Sequence, residues 1–214
     1  MKLTDSGKSL RFIAVCCLLP WLIQCSSSKP NLAKTENDDK QESVAEKPQN
    51  PAVVLRTTKG EITIELLPKK APKSVENFLQ YVRDGFYDGT IFHRVIPDFM
   101  IQCGALTADL KPKKTREPVQ NEAKRSIKNS RGTVTMARRS GRNSATASFF
   151  INLNQNTHLD YGVDEFGYTV FGRVVAGMEV VDAIAAAPTT TLKQLKNIPT
   201  DPPVILQAEI INAN

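Results

Sequence analysis

Short apolar runs of strand length, separated by turn residues, recur through this chain from residue 52 onward. In one of them Ile62, Ile64 and Leu66 alternate with polar residues, which is the period of a strand with one buried face. Pairs such as Lys59-Gly60 and Pro97-Asp98 have the turn chemistry that separates neighbouring runs. The predicted strands cover residues 52–58, 61–67, 91–95, 99–103, 132–137, 149–153, 169–174 and 204–211.

Only two segments of the same region have the period of a helix. The first begins at Pro72, ends at Gly85, and places four apolar residues on one stripe: Val75, Phe78, Leu79 and Val82. The second covers residues 177–187 and ends before Pro188, with a stripe of Met178, Val181, Ile184 and Ala185. Many short strands with only two helices favour an antiparallel β-barrel.

The first 24 residues have the pattern of a signal peptide. Lys2, Lys8 and Arg11 precede an apolar run over residues 12–23, and Pro20 interrupts that run. A helix needs about 20 apolar residues to cross a bilayer, so the run is short for a membrane anchor. We therefore predict a signal peptide over residues 1–24.

Cys25 follows this run in a sequence, Leu22-Ile23-Gln24-Cys25, that resembles a bacterial lipoprotein cleavage box. The usual residue before the lipidated cysteine is small, and Gln24 departs from that pattern. We expect a lipid on Cys25 and a location in the bacterial cell envelope, as a periplasmic or outer-surface lipoprotein. A plain secreted protein and an uncleaved helical anchor are the alternatives. Residues 25–50 are polar and charged, which predicts a disordered tether before a domain over residues 51–212.

The overall charge and the Cys and His content exclude several kinds of function. The net charge is +6, but no basic run is interleaved with aromatic residues, so we expect no nucleic-acid partner. The chain has two histidines and four cysteines, none of them at metal-ligand spacing, so we expect no metal site. Residues 106–131 are rich in lysine and arginine. This segment is either a solvated loop or a docking face for acidic partners or lipid headgroups.

The segment from Phe92 to Gln102 predicts a particular kind of binding site. Arg94 and Gln102 lie eight residues apart, with Phe99 and Met100 between them. On a strand–turn–strand path, these residues converge on an apolar pocket with two polar groups at its rim. Such a pocket suits a proline ring, and a fixed cation suits the twisting of the peptide bond before that ring. Taken singly, the two apolar residues are more often core, and the arginine is more often an ion-pair partner.

The same segment resembles the core motif of the cyclophilins, which are peptidyl-prolyl cis-trans isomerases. Residues 87–94 run into Pro97-x-Phe99-Met100-x-Gln102-x-Gly104 at the family spacing. Further blocks of similarity cover residues 132–138, 143–152, 171–174 and 177–182, and the resemblance extends from about residue 52 to residue 211. It implies a mainly β fold: a closed, eight-stranded antiparallel barrel capped by two α-helices, with the substrate groove on its outer surface.

The resemblance also implies which residues form the site. Arg94 is the catalytic arginine, and Gln102 holds the substrate backbone beside it. The proline pocket consists of Phe99, Met100, Phe150 and Leu159. The remaining substrate-binding positions are Ala137, Arg138, Ser148, His158 and Tyr168.

The activity implied by this site is rotation of X–Pro peptide bonds, without a cofactor, to assist the folding of exported proteins. The partners expected are proline-containing polypeptides and the membrane, the latter through a lipid on Cys25, and we expect a monomer. The alternative is a proline-peptide-binding chaperone or surface interaction lipoprotein with little turnover.

Five positions depart from the family pattern, one of them Ala105, which stands where an aspartate is frequent. Ser148 replaces a glutamine, His158 replaces a tryptophan or phenylalanine, Tyr168 stands where many members have a histidine, and Cys103 replaces a glycine. Because none of these changes removes the arginine or the pocket, we expect turnover to survive and substrate preference to differ. We expect Cys103 to be a buried apolar group and His93 to be a satisfied structural histidine that points away from the groove.

Overall fold

The computed structural model describes residues 50–211, which fold into strands with two α-helices and a short 3-10 turn. The helices are α1 (Pro72–Arg83) and α2 (Met178–Ala185). The strands are β1 (Ala52–Thr57), β2 (Gly60–Leu66), β3 (Arg94–Ile96), β4 (Met100–Cys103), β5 (Thr133–Met136), β6 (Phe149–Asn152), β7 (Val170–Ala176), β8 (Thr189–Leu192), β9 (Leu195–Pro199) and β10 (Ile205–Ile211). The predicted signal peptide, Cys25, the tether up to residue 49 and residue 212 lie outside the described residues.

Eight of the strands form one antiparallel sheet in the order β10-β1-β2-β7-β5-β6-β4-β3. Each of the predicted strands corresponds to one of these eight, and both predicted helices are present. The mainly β class and the two helices are therefore confirmed. Neither helix in the part of the chain that the structure describes is long and apolar enough to cross a membrane.

The prediction of a closed barrel is wrong, because the sheet is an open, curled half-barrel. Strands β3 and β10 are its two edges, and within residues 50–211 no ladder pairs them. In the described part of the chain, backbone pairing next to these edges is limited to a single bridge between Ile91 and Val204 and a few backbone hydrogen bonds, such as that from Phe92 N to Pro203 O at 2.9 Å. Strand β3 has only three residues, and Pro202 and Pro203 have no N–H to donate, so a continuous ladder cannot form there.

The concave face of the sheet holds the hydrophobic core. Phe78 of α1 inserts into it and contacts the rings of Tyr87, Phe149 and Phe171, with centroids 5.0–5.3 Å apart. These tilted and edge-on contacts are the arrangements that aromatic rings prefer. Helix α2 adds two buried residues, Val181 and Ile184, to the core. The other two residues of its predicted stripe, Met178 and Ala185, pack against the same core, so the stripe is confirmed.

Strands β8 and β9 pair into a hairpin that the sequence analysis did not predict. All four residues of β8 are exposed, so this strand has no alternation of buried and exposed positions to reveal it. The hairpin turns at Lys193, whose φ of +55° is in the left-handed region. Strand β9 lies against β3, and the hairpin therefore covers part of the edge at which the sheet fails to close.

We expect Gly177→Ala to be one of the most destabilising small substitutions in this domain. Gly177 is the N-cap residue of α2 and has a φ of +86°, and a Cβ placed there would lie 2.1 Å from the carbonyl oxygen of Glu61. Backbone strain and this clash together predict a loss of about 3 kcal/mol in the free energy of unfolding, measured by urea denaturation.

Gly89→Ala is the matched control, because Gly89 has a similar φ of +76° but no atom within 4 Å of the added Cβ. Its loss should be about 1 kcal/mol, from strain alone. Equal losses for the two variants would contradict the packing described for Gly177.

Candidate active site

The pairing of β3, β4 and β6 brings the predicted polar groups and part of the pocket into one row. Arg94 lies opposite Gln102, and Gln102 lies opposite Phe150 on the next strand. Because side chains alternate along a strand, all three point to the same face of the sheet. The residues between them point the other way, as Val95 and Ile101 do, and are fully buried in the core.

On this outer face, a small apolar cluster separate from the main core surrounds an open hollow. Met100, Phe150 and Leu159 are its buried members, and four partly exposed residues pack around them: Ile96, Phe99, Ala137 and Tyr168. The hollow has a volume of about 400 Å³, including its mouth. It is lined by Arg94, Phe99, Met100, Gln102, Ala137, Arg138, Phe150, Leu159 and Tyr168. The structure thus places nine of the eleven predicted catalytic and substrate-binding residues around one hollow.

Arg94 is the free cation of this hollow. Its side chain is half-buried, and its guanidinium makes no hydrogen bond or ion pair with any residue of the described range. A guanidinium carries five N–H donors in a rigid plane and stays charged at physiological pH. The donors of Arg94 are therefore available to a bound molecule.

Gln102 is held in place by Ser148, one of the two predicted residues that do not line the hollow. The amide Nε2 of Gln102 donates a hydrogen bond to Ser148 Oγ at 3.2 Å. The Ser148 hydroxyl in turn donates to the carbonyl oxygen of Cys103 at 2.9 Å. Cys103 is buried, and burial raises the pKa of its thiol well above the ordinary value. Ser148 therefore fixes the orientation of Gln102, and Cys103 fills the core as expected.

His158 is the other predicted residue outside the lining. It lies in the 3-10 turn Thr157–Leu159 and is exposed, and its ring centroid is 5.4 Å from that of Phe99. The same turn directs Leu159 into the hollow. His158 therefore extends the rim of the hollow beyond Phe99.

Arg138 differs from Arg94 because its guanidinium is fully engaged. Its side chain is 7% exposed and forms an ion pair with Asp164 at 2.6 Å, and its Nε donates to Gly167 O at 3.2 Å. The guanidinium carbon also lies 4.2 Å from the ring centroid of Tyr168. This stacking and pairing fix the position of Tyr168 in the wall of the hollow.

A buried polar network that sequence reasoning missed supports the floor of the hollow. The carbonyl oxygen of Phe99 accepts hydrogen bonds from Asn156 Nδ2 at 2.8 Å and from the backbone N–H of Leu153 at 2.9 Å. Asn156 also donates to Asn152 Oδ1 at 2.7 Å, and Asn152 donates to Thr135 Oγ1 at 3.1 Å. Asparagine inside a predicted strand was the only sequence signal of this network. Its effect is to hold the turn that carries Phe99.

His93 lies next to Arg94 in sequence but on the opposite side of the strand. It is 9% exposed, and its Nδ1 has no hydrogen-bond partner within residues 50–211, so the expectation of a fully satisfied histidine is wrong. Desolvation is the largest influence on its pKa, which it lowers to about 4; the hydrogen bond to Ile91 opposes this, and the charge of Arg94 adds to it. His93 is therefore neutral and structural at physiological pH.

Together these groups form a site suited to binding and polarising a neutral ligand. One face of the hollow presents an unpaired cation and an oriented amide, and the rest is apolar and aromatic. The thiol of Cys103 is buried in the core and the hydroxyl of Ser148 is committed to a backbone carbonyl, so neither side chain is placed for nucleophilic attack. The arrangement fits a compact apolar ring with a polar atom beside Arg94.

Comparisons with known proteins agree with this geometry. Residues 52–210 match the family model described as cyclophilin type peptidyl-prolyl cis-trans isomerase. The chain is 52% identical over 159 residues to peptidyl-prolyl cis-trans isomerase A of Dickeya dadantii, covering 74% of this chain and 84% of that one. It is 45% identical over 156 residues to peptidyl-prolyl cis-trans isomerase B of Escherichia coli K12, covering 72% of this chain and 95% of that one.

The fold is similar to that of a solved cyclophilin-type isomerase from Cryptosporidium parvum, determined in the presence of the dipeptide Ala-Pro. The TM-score is 0.60 at 25% sequence identity, and the match covers 76% of this chain and 99% of that one.

The pKa of His93 predicts a pH dependence of stability. An unfolded chain binds a proton on this histidine below about pH 6.5, whereas the folded chain does so only near pH 4. Stability is therefore lost as the pH falls from about 6.5 to 4, by up to about 3 kcal/mol. His93→Phe should remove this component, so that denaturation curves of the variant change less than those of the wild type across that window.

His158→Phe is the control, because it removes the only other histidine from an exposed position. It should keep the pH dependence of the wild type. Parallel pH profiles for wild type and His93→Phe would contradict the neutral, buried state of His93.

Proposed function

This chain belongs to the cyclophilin-type peptidyl-prolyl cis-trans isomerases, and we propose that its catalytic group is the guanidinium of Arg94. Isomerisation of X–Pro peptide bonds is its activity, as the family and the isomerase relatives show. The observation that carries the assignment of Arg94 is its lack of any partner within residues 50–211 at the rim of an apolar hollow.

The barrier to this reaction is the partial double bond of the amide, about 18–20 kcal/mol, and unaided exchange takes tens of seconds or more. Twisting the C–N bond out of plane ends the resonance and returns a lone pair to the proline nitrogen. A donor aimed at that nitrogen binds the twisted state more strongly than the planar one, and this difference lowers the barrier. Lowering it by about 7 kcal/mol accelerates the exchange about 10⁵-fold.

Arg94 meets the requirements for such a donor. It is charged and half-buried, and no acid among residues 50–211 forms an ion pair with it. Its position on β3, opposite Gln102 of β4, fixes the location of its Cα and Cβ atoms. A preorganised charged donor in a site shielded from water contributes several kcal/mol to transition-state binding.

The apolar hollow supplies the other half of catalysis by seating the proline ring. Phe99, Met100, Phe150 and Leu159 offer the ring an apolar surface, and the buried amide network holds the backbone carbonyl of Phe99. The oriented amide of Gln102 is placed to hold the peptide backbone beside the ring. When the proline ring and the peptide backbone are both held, rotation about the C–N bond is the main motion that remains.

We propose further that the enzyme works outside the cytoplasm on exported, proline-containing polypeptides, as a monomer. The support is the sequence of residues 1–25, with its basic start, its apolar run and its lipoprotein-like box ending at Cys25. A lipid on Cys25 would hold the domain at a membrane surface through the polar tether. The cell envelope of a bacterium is the location proposed.

Arg94→Ala should lower kcat/KM about 10²- to 10³-fold, the usual cost of losing one preorganised donor. The measurement is a protease-coupled isomerisation assay on a proline tetrapeptide. KM should change less than kcat, because the guanidinium acts mainly in the twisted state. Arg83→Ala is the matched control: this exposed arginine of α1 pairs with Glu76 and does not line the hollow. An Arg94→Ala enzyme as active as the control would rule out the proposed role.

The lipid anchor has a separate test in living bacteria. Cys25→Ser should abolish incorporation of labelled fatty acid into the chain and release it from the membrane fraction. Cys17→Ser is the control, since Cys17 lies within the apolar run that precedes the cleavage box. Equal labelling of the wild type and the Cys25→Ser variant would exclude this anchor.

A further inference from the structure

A second hollow lies next to the proline-binding hollow, and Tyr168 is the wall between them. It has a volume of about 390 Å³, including its mouth, and is lined by Ala123, Lys124, Ser126, Ile127, Lys128, Asn129, Asp160, Tyr161 and Tyr168. The backbone N–H of Tyr168 donates a hydrogen bond to Leu159 O at 2.9 Å. Leu159 lines the proline-binding hollow, and Tyr168 lines both hollows. The two hollows therefore form neighbouring parts of one surface.

Apolar side chains are unusually exposed around this second hollow. Within residues 50–211 the exposed large apolar residues are five, and three of them are here: Ile127 at 36% exposure, Tyr161 at 41% and Val163 at 68%. Ile127 and Tyr161 line the hollow itself, and Val163 is in the turn that follows Tyr161. Apolar groups gathered beside an active site, rather than scattered singly, mark a contact surface.

The same surface has an excess of positive charge that the fold does not neutralise. Three basic residues of the 106–131 segment are engaged elsewhere: Lys111 with Asp109, Arg116 with Asp84 and Arg131 with Asp182. By contrast, the side chains of Lys124 and Arg125 form no ion pair or hydrogen bond within residues 50–211.

The acids near this hollow are largely occupied. Asp160 is buried and accepts hydrogen bonds from the Asn129 backbone N–H at 2.8 Å and from Asn129 Nδ2 at 3.1 Å. Its other oxygen lies 3.6 Å from the Nζ of Lys128. Asp164 is paired with Arg138, which leaves Glu165 as the exposed acid of the neighbouring loop. The balance at the mouth of the hollow is therefore positive.

We propose that this second hollow is a binding subsite for the substrate chain beyond its proline, and that it selects substrates with acidic and large apolar residues flanking the X–Pro bond. The inference rests on the proposed function, because it needs a prolyl residue seated beside Arg94. Continuity through Tyr168 provides the path, Ile127 and Tyr161 provide the apolar contact, and Lys124 provides the charge complementary to a carboxylate. The basic segment over residues 106–131 thus contributes to substrate selection through Lys124, which lies towards its C-terminal end.

The test compares peptides that share one X–Pro core. A short tetrapeptide reaches only the proline hollow. Two extended peptides add five residues on each side of the core, one set with Glu, Asp and a Leu, and the other with Gln, Asn and the same Leu. Exchange NMR with the full chain gives kcat/KM for each peptide, and the quantity of interest is the ratio of the acidic to the neutral extended peptide.

For the wild type this ratio should be about fivefold, the size expected of two partly exposed charge contacts. It should fall towards one in 0.5 M salt, a concentration well above physiological ionic strength that screens exposed charges strongly. Lys124→Glu/Lys128→Glu should bring the ratio to one or below. Lys69→Glu/Lys70→Glu is the charge-matched control: both lysines are exposed, neither lines either hollow, and this variant should keep the wild-type ratio.

The outcomes separate this inference from the proposed function. A wild type that does not accelerate the tetrapeptide would refute the role proposed for the proline hollow. A wild type that turns over the tetrapeptide but gives a ratio of one refutes only the subsite. If the ratio falls as strongly in the control as in Lys124→Glu/Lys128→Glu, the effect comes from the overall charge of the protein and the subsite is wrong.

One further result would assign the surface to a different ligand. If the ratio is one, and the Cys25→Ser chain sediments with phosphatidylglycerol vesicles unless Lys124 and Lys128 are replaced by Glu, then the surface binds lipid headgroups and the subsite is wrong.

Discussion

The alternation of side chains across the paired strands β3, β4 and β6 is the constraint on which the rest of this molecule depends. One face of these strands contributes Val95 and Ile101 to the core, and the other contributes Arg94, Gln102 and Phe150 to the proposed active site. A slip of one residue in register would exchange the two sets. The stability of the core and the geometry of the site are therefore set by the same backbone pairing, and neither can be changed alone.

Two arginines that line the hollow, Arg94 and Arg138, differ in whether the fold gives them partners. Arg138 is buried, paired with Asp164 and stacked on Tyr168, and it serves the shape of the site. Arg94 is left without a partner among the described residues, in keeping with the catalytic role proposed for it. An unpaired, half-buried cation is costly to maintain in a folded protein unless something binds it. Its position here is consistent with a site completed by substrate.

Local pattern was sufficient to predict the eight sheet strands and both helices, because alternation such as that of Ile62 and Ile64 reflects burial directly. It failed where burial was absent or contacts were distant in sequence. The hairpin strand Thr189–Leu192 is wholly exposed and left no pattern. Whether the sheet closes into a barrel depends on which residues face Pro203 across the open edge, and local sequence pattern does not show this. Nothing local marks Asn156, 57 residues from the carbonyl it supports. The site residues could be predicted from the motif resemblance. The hydrogen-bond and ion-pair partners of each side chain became known only from the three-dimensional structure.

The most direct test of the central claim is a high-resolution structure of this domain with a bound X–Pro peptide. We expect the proline ring among Phe99, Met100 and Phe150, with a guanidinium nitrogen of Arg94 within hydrogen-bond reach of the prolyl nitrogen, about 3–3.5 Å away. A proline ring seated elsewhere, or an Arg94 side chain turned away from the imide bond, would contradict this claim.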